Sequence, residues 1–388
     1  MIILIPIGGK GNRFKLKGYK KPKSLIKVKN KEIIFHLLDN LTIDDNISYI
    51  YIPYNKEYVN YDFENIILLR YPNYKFKFLV LENQTRGAAE TIYIALKNIF
   101  SQDIRYPISI EEMKCMFDKP ILCIDSDNFY ETDIIKMWNG NNCIFTFHSK
   151  TKDAKFSYIE LDAKTNNIIN IIEKKKISDN ACCGAYGFDS YYNLMDYCKK
   201  ILDSNIMQKD EFYTSGAIKE MINDKIVFIN KNIENKYYFS LGTPEQIKLF
   251  EYSFLLDLDG TLINTDPIYI KVWNKLLKKY NLSCDAQFFN SFIKGKSDVS
   301  FLTYLSSNIN NKELSKISLQ KDIHFIEFLK AEGDILYDGV LDFLDKIQNA
   351  RIGIVTSCNK KAAESVLEFY NLKKYINNFI CSGVPNEK

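Results

Sequence analysis

The sequence predicts a two-domain α/β protein, and three observations carry that prediction. The chain has 388 residues, more than a single hydrophobic core normally organises. Short apolar runs alternate with segments of helical spacing along nearly its whole length, the pattern of sheets whose faces are covered. That alternation starts afresh near residue 253, with no Gly/Ser-rich or Pro-rich linker before it. Domains are therefore expected at 1–250 and 251–388, packed rather than loosely tethered.

Each element follows from its local pattern. Residues 1–7 form an apolar strand that Gly8, Gly9 and Gly11 break. No helix is expected promptly after those glycines. A basic loop ending at Pro22-Lys23 leads instead into an apolar strand at 25–28. A helical pattern covers 32–40, and strands are expected at 48–53 and 76–81. The run Gly87 to Phe100 sets Ala88, Ile92, Ala95, Leu96 and Ile99 at helical spacing. Ile121 to Ile124 then form a buried strand that ends in Asp125 and Asp127. From about 141 the texture changes, with strands at 143–149, 155–161 and 167–173 in a more antiparallel insertion. Helices are expected at 189–202, 211–223 and 245–251. The second unit opens with a strand at 253–257, continues mostly helical over 268–335, and returns to helix–strand alternation to the end.

Composition narrows the function classes. The chain is 46% hydrophobic, 26% charged and 14% aromatic, ordinary values for a soluble globular protein with full cores. A net charge of +4, from 52 basic and 48 acidic residues, is too weak for a nucleic-acid surface. The nine cysteines show no metal-binding spacing, which fits reduced thiols and a cytoplasmic protein. Segment 1–9 is apolar but lacks a basic leader and the length of a membrane span, so no membrane partner is expected. Lys15, Lys17, Lys20, Lys21 and Lys23 form a local basic run. Its place directly after a Gly-rich turn favours phosphate binding over a merely solvated loop.

The turn itself has the right chemistry. Glycines allow a tight turn and a close backbone approach to phosphate, while backbone N–H groups and Arg13 supply donors. No Gly-Lys-Ser/Thr ends it, so it is not a Walker motif. Read in order, Gly8-Gly9-Lys10-Gly11-Asn12-Arg13, Pro22-Lys23-Ser24-Leu25, Gln84-Thr85-Arg86-Gly87, Asp127-Asn128, Glu173-Lys174 and Gly184-Ala185-Tyr186-Gly187-Phe188 resemble the signature of the sugar-phosphate nucleotidyltransferases. The resemblance covers roughly residues 1–250. It implies a Rossmann-like domain with a mixed sheet that joins a nucleoside triphosphate to a small sugar or polyol phosphate, with Mg²⁺ as cofactor and pyrophosphate released. It also implies the roles. Gly8, Gly9 and Gln84 would meet the base and ribose, with Gly11 in the same turn and Gly87 permitting close approach. Arg13 and Lys23 would hold the triphosphate, Asp127 would ligate Mg²⁺, Lys174 would grip the acceptor phosphate, and Glu173 would orient its organic part.

The chemistry asks for these residue types independently. An acceptor phosphate is already an anionic nucleophile, so positioning and cations matter more than a strong base. That fits the scarcity of histidine, present only as His36, His148 and His324, for which structural roles are the expectation. One position departs from the family pattern. An aspartate is usual just before the Gly-Thr-Pro turn, where this chain has Ser240. A hydroxyl is a poor Mg²⁺ ligand beside a carboxylate. Three readings stay open: Asp125, on the same side of an extended segment as Asp127, fills the gap; substrate phosphates fill it; or the site is weakened.

A second constellation follows. Phe254-Leu255-Leu256-Asp257-Leu258-Asp259-Gly260-Thr261-Leu262 delivers two carboxylates at the end of an apolar strand, before a glycine turn. It resembles the first motif of the haloacid dehalogenase-like phosphatases, and residues 253–388 fit that family as far as they go. The resemblance implies an α/β domain with a helical cap at about 267–335. Asp257 would be the nucleophile and would bind Mg²⁺, and Asp259 would be the general acid and then the base, its backbone carbonyl also on the metal. Thr356, at the end of the strand Arg351 to Ser357, would anchor the phosphoryl group. Lys294-Gly295-Lys296-Ser297 in the cap reads equally well as a substrate contact or as solvated surface. Lys388 stands where the family expects a substrate-binding lysine, and no acidic strand end follows it; a truncated sequence, a degraded domain and an unusual metal site compete as explanations, and truncation is favoured.

Together these readings give a bifunctional enzyme, a nucleotidyltransferase with a phosphomonoester hydrolase, placed by resemblance and fusion in surface-polysaccharide precursor synthesis. The alternative is a nucleotide-binding module carrying a degenerate phosphatase-like domain with a structural or regulatory role. Homo-oligomerisation is left open, as are the base and the acceptor.

Overall fold

The computed structural model describes residues 1–103, 109, 111–112, 118–149, 154–305, 311–332 and 335–382. It contains two compact units, Met1–Tyr252 and Ser253–Lys388.

The first unit begins with β1 (Ile2–Leu4), β2 (Lys27–Val28), β3 (Lys31–Glu32), β4 (Tyr49–Asn55), β5 (Phe76–Leu81) and β6 (Ile121–Ile124). It continues with β7 (Asn128–Tyr130), β8 (Cys143–His148), β9 (Ser157–Leu161), β10 (Asn167–Glu173), β11 (Asn180–Phe188), β12 (Phe228–Asn232) and β13 (Tyr238–Ser240). Nine strands make one mixed sheet in the order β5-β4-β1-β6-β11-β8-β12-β10-β9. Side chains alternate across a strand, so Ile3 and Ile5 join the core on one face, while Ile2 and Leu4 join the core on the other. Both faces are covered, which is why β1 reads as an unbroken apolar run rather than an alternating one.

Topology places the site. β1 pairs parallel with β6, Ile2 opposite Ile121 and Leu4 opposite Cys123, so the two strands end side by side. The glycine turn after β1 therefore lies next to Asp125 and Asp127 after β6. Beyond β6 the sheet turns antiparallel, with Tyr186 of β11 opposite Cys123. A crevice outside strand ends where the sheet changes direction is the natural ligand position in such folds.

Three local expectations need correction. A short helix, Asn12–Leu16, does begin directly after the glycines. Gly11, at φ 64°, turns the chain into it. Only Phe14 of this helix is buried, so no apolar periodicity announces it. The strand expected at 25–28 is a 3₁₀ turn, Lys23–Leu25, followed by the two residues of β2. The segment bearing Asp125 and Asp127 is not extended but a turn, closed by the Asn128 N–H to the Asp125 carbonyl at 3.3 Å, while the antiparallel strands after 141 extend the main sheet.

The second unit holds a parallel three-stranded sheet, β14 (Ser253–Leu256), β15 (Arg351–Asn359) and β16 (Asn378–Ser382), with β15 in the middle. Leu256 lies opposite Ile354, so the strand end bearing Asp257 and Asp259 stands beside the end bearing Thr356. Helices Asp266–Leu277, Asp298–Leu305 and Asn311–Glu332 fall in the region expected to be helical. Trp273, Phe301, Phe325 and Leu329 from these helices share one hydrophobic cluster with Ile352 and Ile354 of β15. Lys388 lies outside the described residues.

Candidate active sites

In the first unit a cavity of about 670 Å³ opens at the ends of β1 and β6. Gly8, Gly9, Gly11, Arg13, Lys23, Gln84, Gly87, Asp125 and Asp127 all line it, so residues far apart in sequence meet on one wall. Lys23 is held by its own turn, because the Ser24 backbone N–H donates to the Tyr58 hydroxyl at 3.1 Å. The Lys23 ammonium in turn donates to the Asp127 carboxylate. Gln84 is fixed by a bond from its amide nitrogen to the Gly8 carbonyl at 2.9 Å, and it accepts one from the Asn55 amide at 3.1 Å. Gly87 is packed so tightly that a Cβ there would stand 2.4 Å from the Phe212 carbonyl oxygen. Arg13 is exposed at the cavity rim.

Glu173 and Lys174 do not line that cavity; they sit beside it, at the end of β10. Glu173 is buried and accepts hydrogen bonds from the hydroxyls of Ser157 and, at 3.1 Å, Ser215. The Lys174 ammonium donates to the Tyr213 hydroxyl and lies 4.6 Å from the centre of its ring. Tyr213 is a residue that sequence reasoning did not single out. It precedes helix Thr214–Asn223, in a stretch whose Asp210 and Glu211 line the cavity. Phe212 ties that stretch to the nucleotide side through its backbone N–H to the Arg86 carbonyl at 3.2 Å and its carbonyl from Ala89 N–H at 2.9 Å. The acidic–aromatic run Asp210-Glu211-Phe212-Tyr213 before a helix was the available signal.

The metal question rests on the two aspartates. Burial first, and then the Asp127 carboxylate, push Asp125 well above the ordinary carboxylate range. Among the described residues no group of three or more His, Cys, Asp or Glu side chains converges on one point. Mg²⁺ does not need one, since it is commonly held by one or two carboxylates together with water and substrate phosphates. Two glycines make room for such an ion. A Cβ on Gly242 would fall 2.6 Å from an Asp127 oxygen, and one on Gly184 would fall 2.6 Å from an Asp125 oxygen. The residues present therefore fit the ion. Ser240 pairs with Asn128 across β13 and β7, hydrogen-bonds to the Tyr238 side chain, and does not line the cavity.

In the second unit the Thr356 hydroxyl is buried and donates to one Asp259 oxygen at 3.2 Å. Among the described residues the other Asp259 oxygen, Oδ1, is buried with no hydrogen-bond partner. Burial dominates and raises the Asp259 pKa, opposed by hydrogen bonds with Thr265 and Thr356. Asp257 is exposed beside it. An exposed carboxylate next to a protonatable one suits a nucleophile and a general acid, and the partnerless oxygen suits a nearby cation. Lys294 is exposed and pairs with Asp266, while Lys296 donates to the Ser291 carbonyl at 3.2 Å.

Residues 254–388 match the family model described as haloacid dehalogenase-like hydrolase. Two curated relatives are both named Bifunctional protein GlmU. That of Methanococcus vannielii is 25% identical over 268 residues, covering 66% of this chain and 56% of the relative. That of Methanocaldococcus jannaschii is 27% identical over 271 residues, covering 69% of this chain and 56% of the relative. The chain thus spans about half the length of the curated relatives it matches. A solved nucleoside-diphosphate-sugar pyrophosphorylase from Vibrio cholerae RC9 superposes with a TM-score of 0.52 at 18% identity, covering 64% of this chain and 98% of its own. The chain accordingly combines an N-terminal domain of the nucleotidyltransferase fold with a C-terminal haloacid dehalogenase-like hydrolase domain at 254–388.

Proposed function

We propose that the first unit transfers a nucleotidyl group from a nucleoside triphosphate to the phosphate of a sugar or polyol phosphate, releasing pyrophosphate. The observation that carries this reading is the convergence of the glycine turn, Arg13, Lys23 and Asp127 on one cavity. An acceptor phosphate oxygen forms the new bond to the α-phosphorus. The bond from that phosphorus to the pyrophosphate bridging oxygen breaks, and its electron pair leaves with pyrophosphate. Lys23 and Arg13 neutralise charge at the transferring and leaving phosphates, and Lys174, oriented by Tyr213, holds the acceptor. Asp127 is the residue to hold Mg²⁺, which when bound supplies further charge neutralisation at the α-phosphate.

In the second unit we infer phosphomonoester hydrolysis. Asp257 attacks the substrate phosphorus and forms an aspartyl-phosphate as the bond to the alcohol oxygen breaks. Asp259, whose raised pKa keeps a proton available, gives that proton to the leaving alcohol and then takes one from the water that attacks the phosphorus, breaking its bond to the Asp257 oxygen and releasing phosphate. Thr356 holds Asp259 in place and stands beside the phosphoryl group. Asp257 is the side chain to hold Mg²⁺ there, which when bound offsets the phosphate charge.

The deciding measurement is pyrophosphate release from a panel of nucleoside triphosphates mixed with sugar and polyol phosphates in Mg²⁺. Release that requires both a triphosphate and an acceptor is expected. If no pair in a broad panel turns over, the transfer reading fails.

A further inference from the structure

We propose that Asp125 is a second carboxylate ligand of the metal in the nucleotidyl-transfer site, in place of the acidic side chain that Ser240 does not provide. The proposal rests on the transfer reading above.

Three geometric observations carry it. First, Asp125 and Asp127 both line the cavity, from the turn that follows β6, where the Asn128 N–H donates to the Asp125 carbonyl at 3.3 Å. Second, Ser240 is turned to other work. It sits opposite Asn128 in the β7–β13 ribbon, shares a hydrogen bond with the Tyr238 side chain, and is not part of the cavity wall. Third, glycine stands where a side chain would crowd each carboxylate. At Gly242 a Cβ would come 2.6 Å from an Asp127 oxygen, and at Gly184 it would meet the Asn128 amide nitrogen at 2.3 Å and an Asp125 oxygen at 2.6 Å.

Charge supplies the driving force. Asp125 is partly buried and lines the cavity. Among the described residues no hydrogen-bond donor is assigned to its carboxylate, and its electrostatic neighbours include the acids Asp127 and Glu173. Glu173 is already committed to Ser157 and Ser215. Lys23 is the cation at hand, and it is engaged with Asp127. An enclosed carboxylate without a donor is costly unless it takes up a proton or a cation pairs with it. A divalent ion shared between Asp125 and Asp127 satisfies both, leaving further coordination positions for water and phosphate oxygens.

The test is Mn²⁺ binding to the full chain, followed by electron paramagnetic resonance. It uses a background carrying Asp257→Asn and Asp259→Asn, so that the second unit contributes little. Asp125→Asn should weaken Mn²⁺ binding by about tenfold or more, as loss of a direct ligand requires when supporting residues alone are worth about that much. Ser240→Ala should leave binding unchanged. A result in which Asp125→Asn binds like the background, or in which Ser240→Ala weakens binding, overturns the assignment. Urea unfolding of Asp125→Asn alongside the background guards against a variant that does not fold, and Asp125→Glu, which keeps a carboxylate, should recover Mn²⁺ binding. Asp125→Glu that is folded yet binds as weakly as Asp125→Asn would also overturn the proposal. None of these readouts uses pyrophosphate. A chain that turns over no triphosphate yet loses Mn²⁺ with Asp125→Asn sinks the transfer reading and supports the ligand; a chain that turns over and binds Mn²⁺ unchanged does the reverse.

Discussion

Lys23 and Gly87 show how much single residues carry in the first unit. The Lys23 ammonium sits on Asp127 and reaches the cavity from a turn anchored by Ser24 and Tyr58. Lys23→Met keeps the aliphatic stem and removes the charge. Nucleotidyl transfer should then fall by about a hundredfold or more, the usual cost of losing a group that meets developing charge. Lys23→Arg should recover only part, because the longer, planar guanidinium keeps the pair with Asp127 but sets its charge in a different place from the compact ammonium. A steady-state pyrophosphate assay reads both, and near-wild-type rates in Lys23→Met would remove this lysine from the chemistry. Gly87 is different in kind. A Cβ there meets the Phe212 backbone oxygen at 2.4 Å, the nitrogen at 2.6 Å, and the residue has φ 153°. The backbone of a strap cannot yield as a flexible side chain can. Gly87→Ala should cost about 1–3 kcal/mol in urea unfolding and raise the KM for triphosphate, since Asp210 and Glu211 on the same strap line the cavity. An unchanged unfolding midpoint would show that the strap gives way freely.

Elements are tied together by polar contacts whose strength depends on pH. Asp39 ends helix Ile33–Leu38 and meets Lys31 at 2.6 Å, Arg70 at 3.0 Å and the Tyr71 hydroxyl at 2.5 Å, so it joins that helix to the end of helix Phe63–Arg70. Burial alone would raise its carboxyl, but hydrogen bonds from Lys31, Tyr71 and Arg70 outweigh that and hold it below the ordinary range. A depressed folded pKa adds stability that is complete above the unfolded value of about 4 and is lost as pH falls through the folded value. Asp39→Asn should therefore destabilise at pH 7, by less than about 1 kcal/mol because its cationic partners are open to water and salt. The difference should vanish at pH about 2, and persistence there in urea melts would assign it to packing instead. Elements of this size also mark how far the sequence could be read. β6 was legible because a buried strand of the central sheet must be apolar throughout, β5 because its run is apolar apart from the exposed Lys77, and Ala88–Asp103 because its buried residues repeat at helical spacing. Helix Asn12–Leu16 and strands β7 and β13 were not, since five or three residues are too few to show a period. The candidate site was legible where glycines, prolines and paired carboxylates fall in a short run. Tyr213 was not, because its partner Lys174 is 39 residues away and only the fold joins them.

At the scale of the whole molecule, each unit holds its own carboxylates, its own hydrophobic clusters and its own sheet. The proposed reactions also differ in kind: one forms a phosphoanhydride and releases pyrophosphate, and the other opens a phosphomonoester through a protein-bound intermediate. Chemistry confined to separate sets of side chains should be separable by substitution. Asp257→Asn removes the nucleophile with almost no change of shape, and Asp257 is exposed, so the fold should tolerate it. In the full chain, phosphomonoester hydrolysis should be lost while pyrophosphate release stays within about twofold, because sites without shared partners act additively. Lys23→Met should give the mirror image, with transfer impaired and hydrolysis kept. Trapping supplies a check beyond rates. Wild-type chain quenched in acid during turnover of a radiolabelled phosphomonoester should retain label on protein, and Asp257→Asn should retain none. Hydrolysis that survives Asp257→Asn would place the nucleophile elsewhere. If instead Asp257→Asn depressed transfer as strongly as hydrolysis, the two units would have to be one coupled machine rather than two enzymes in one chain.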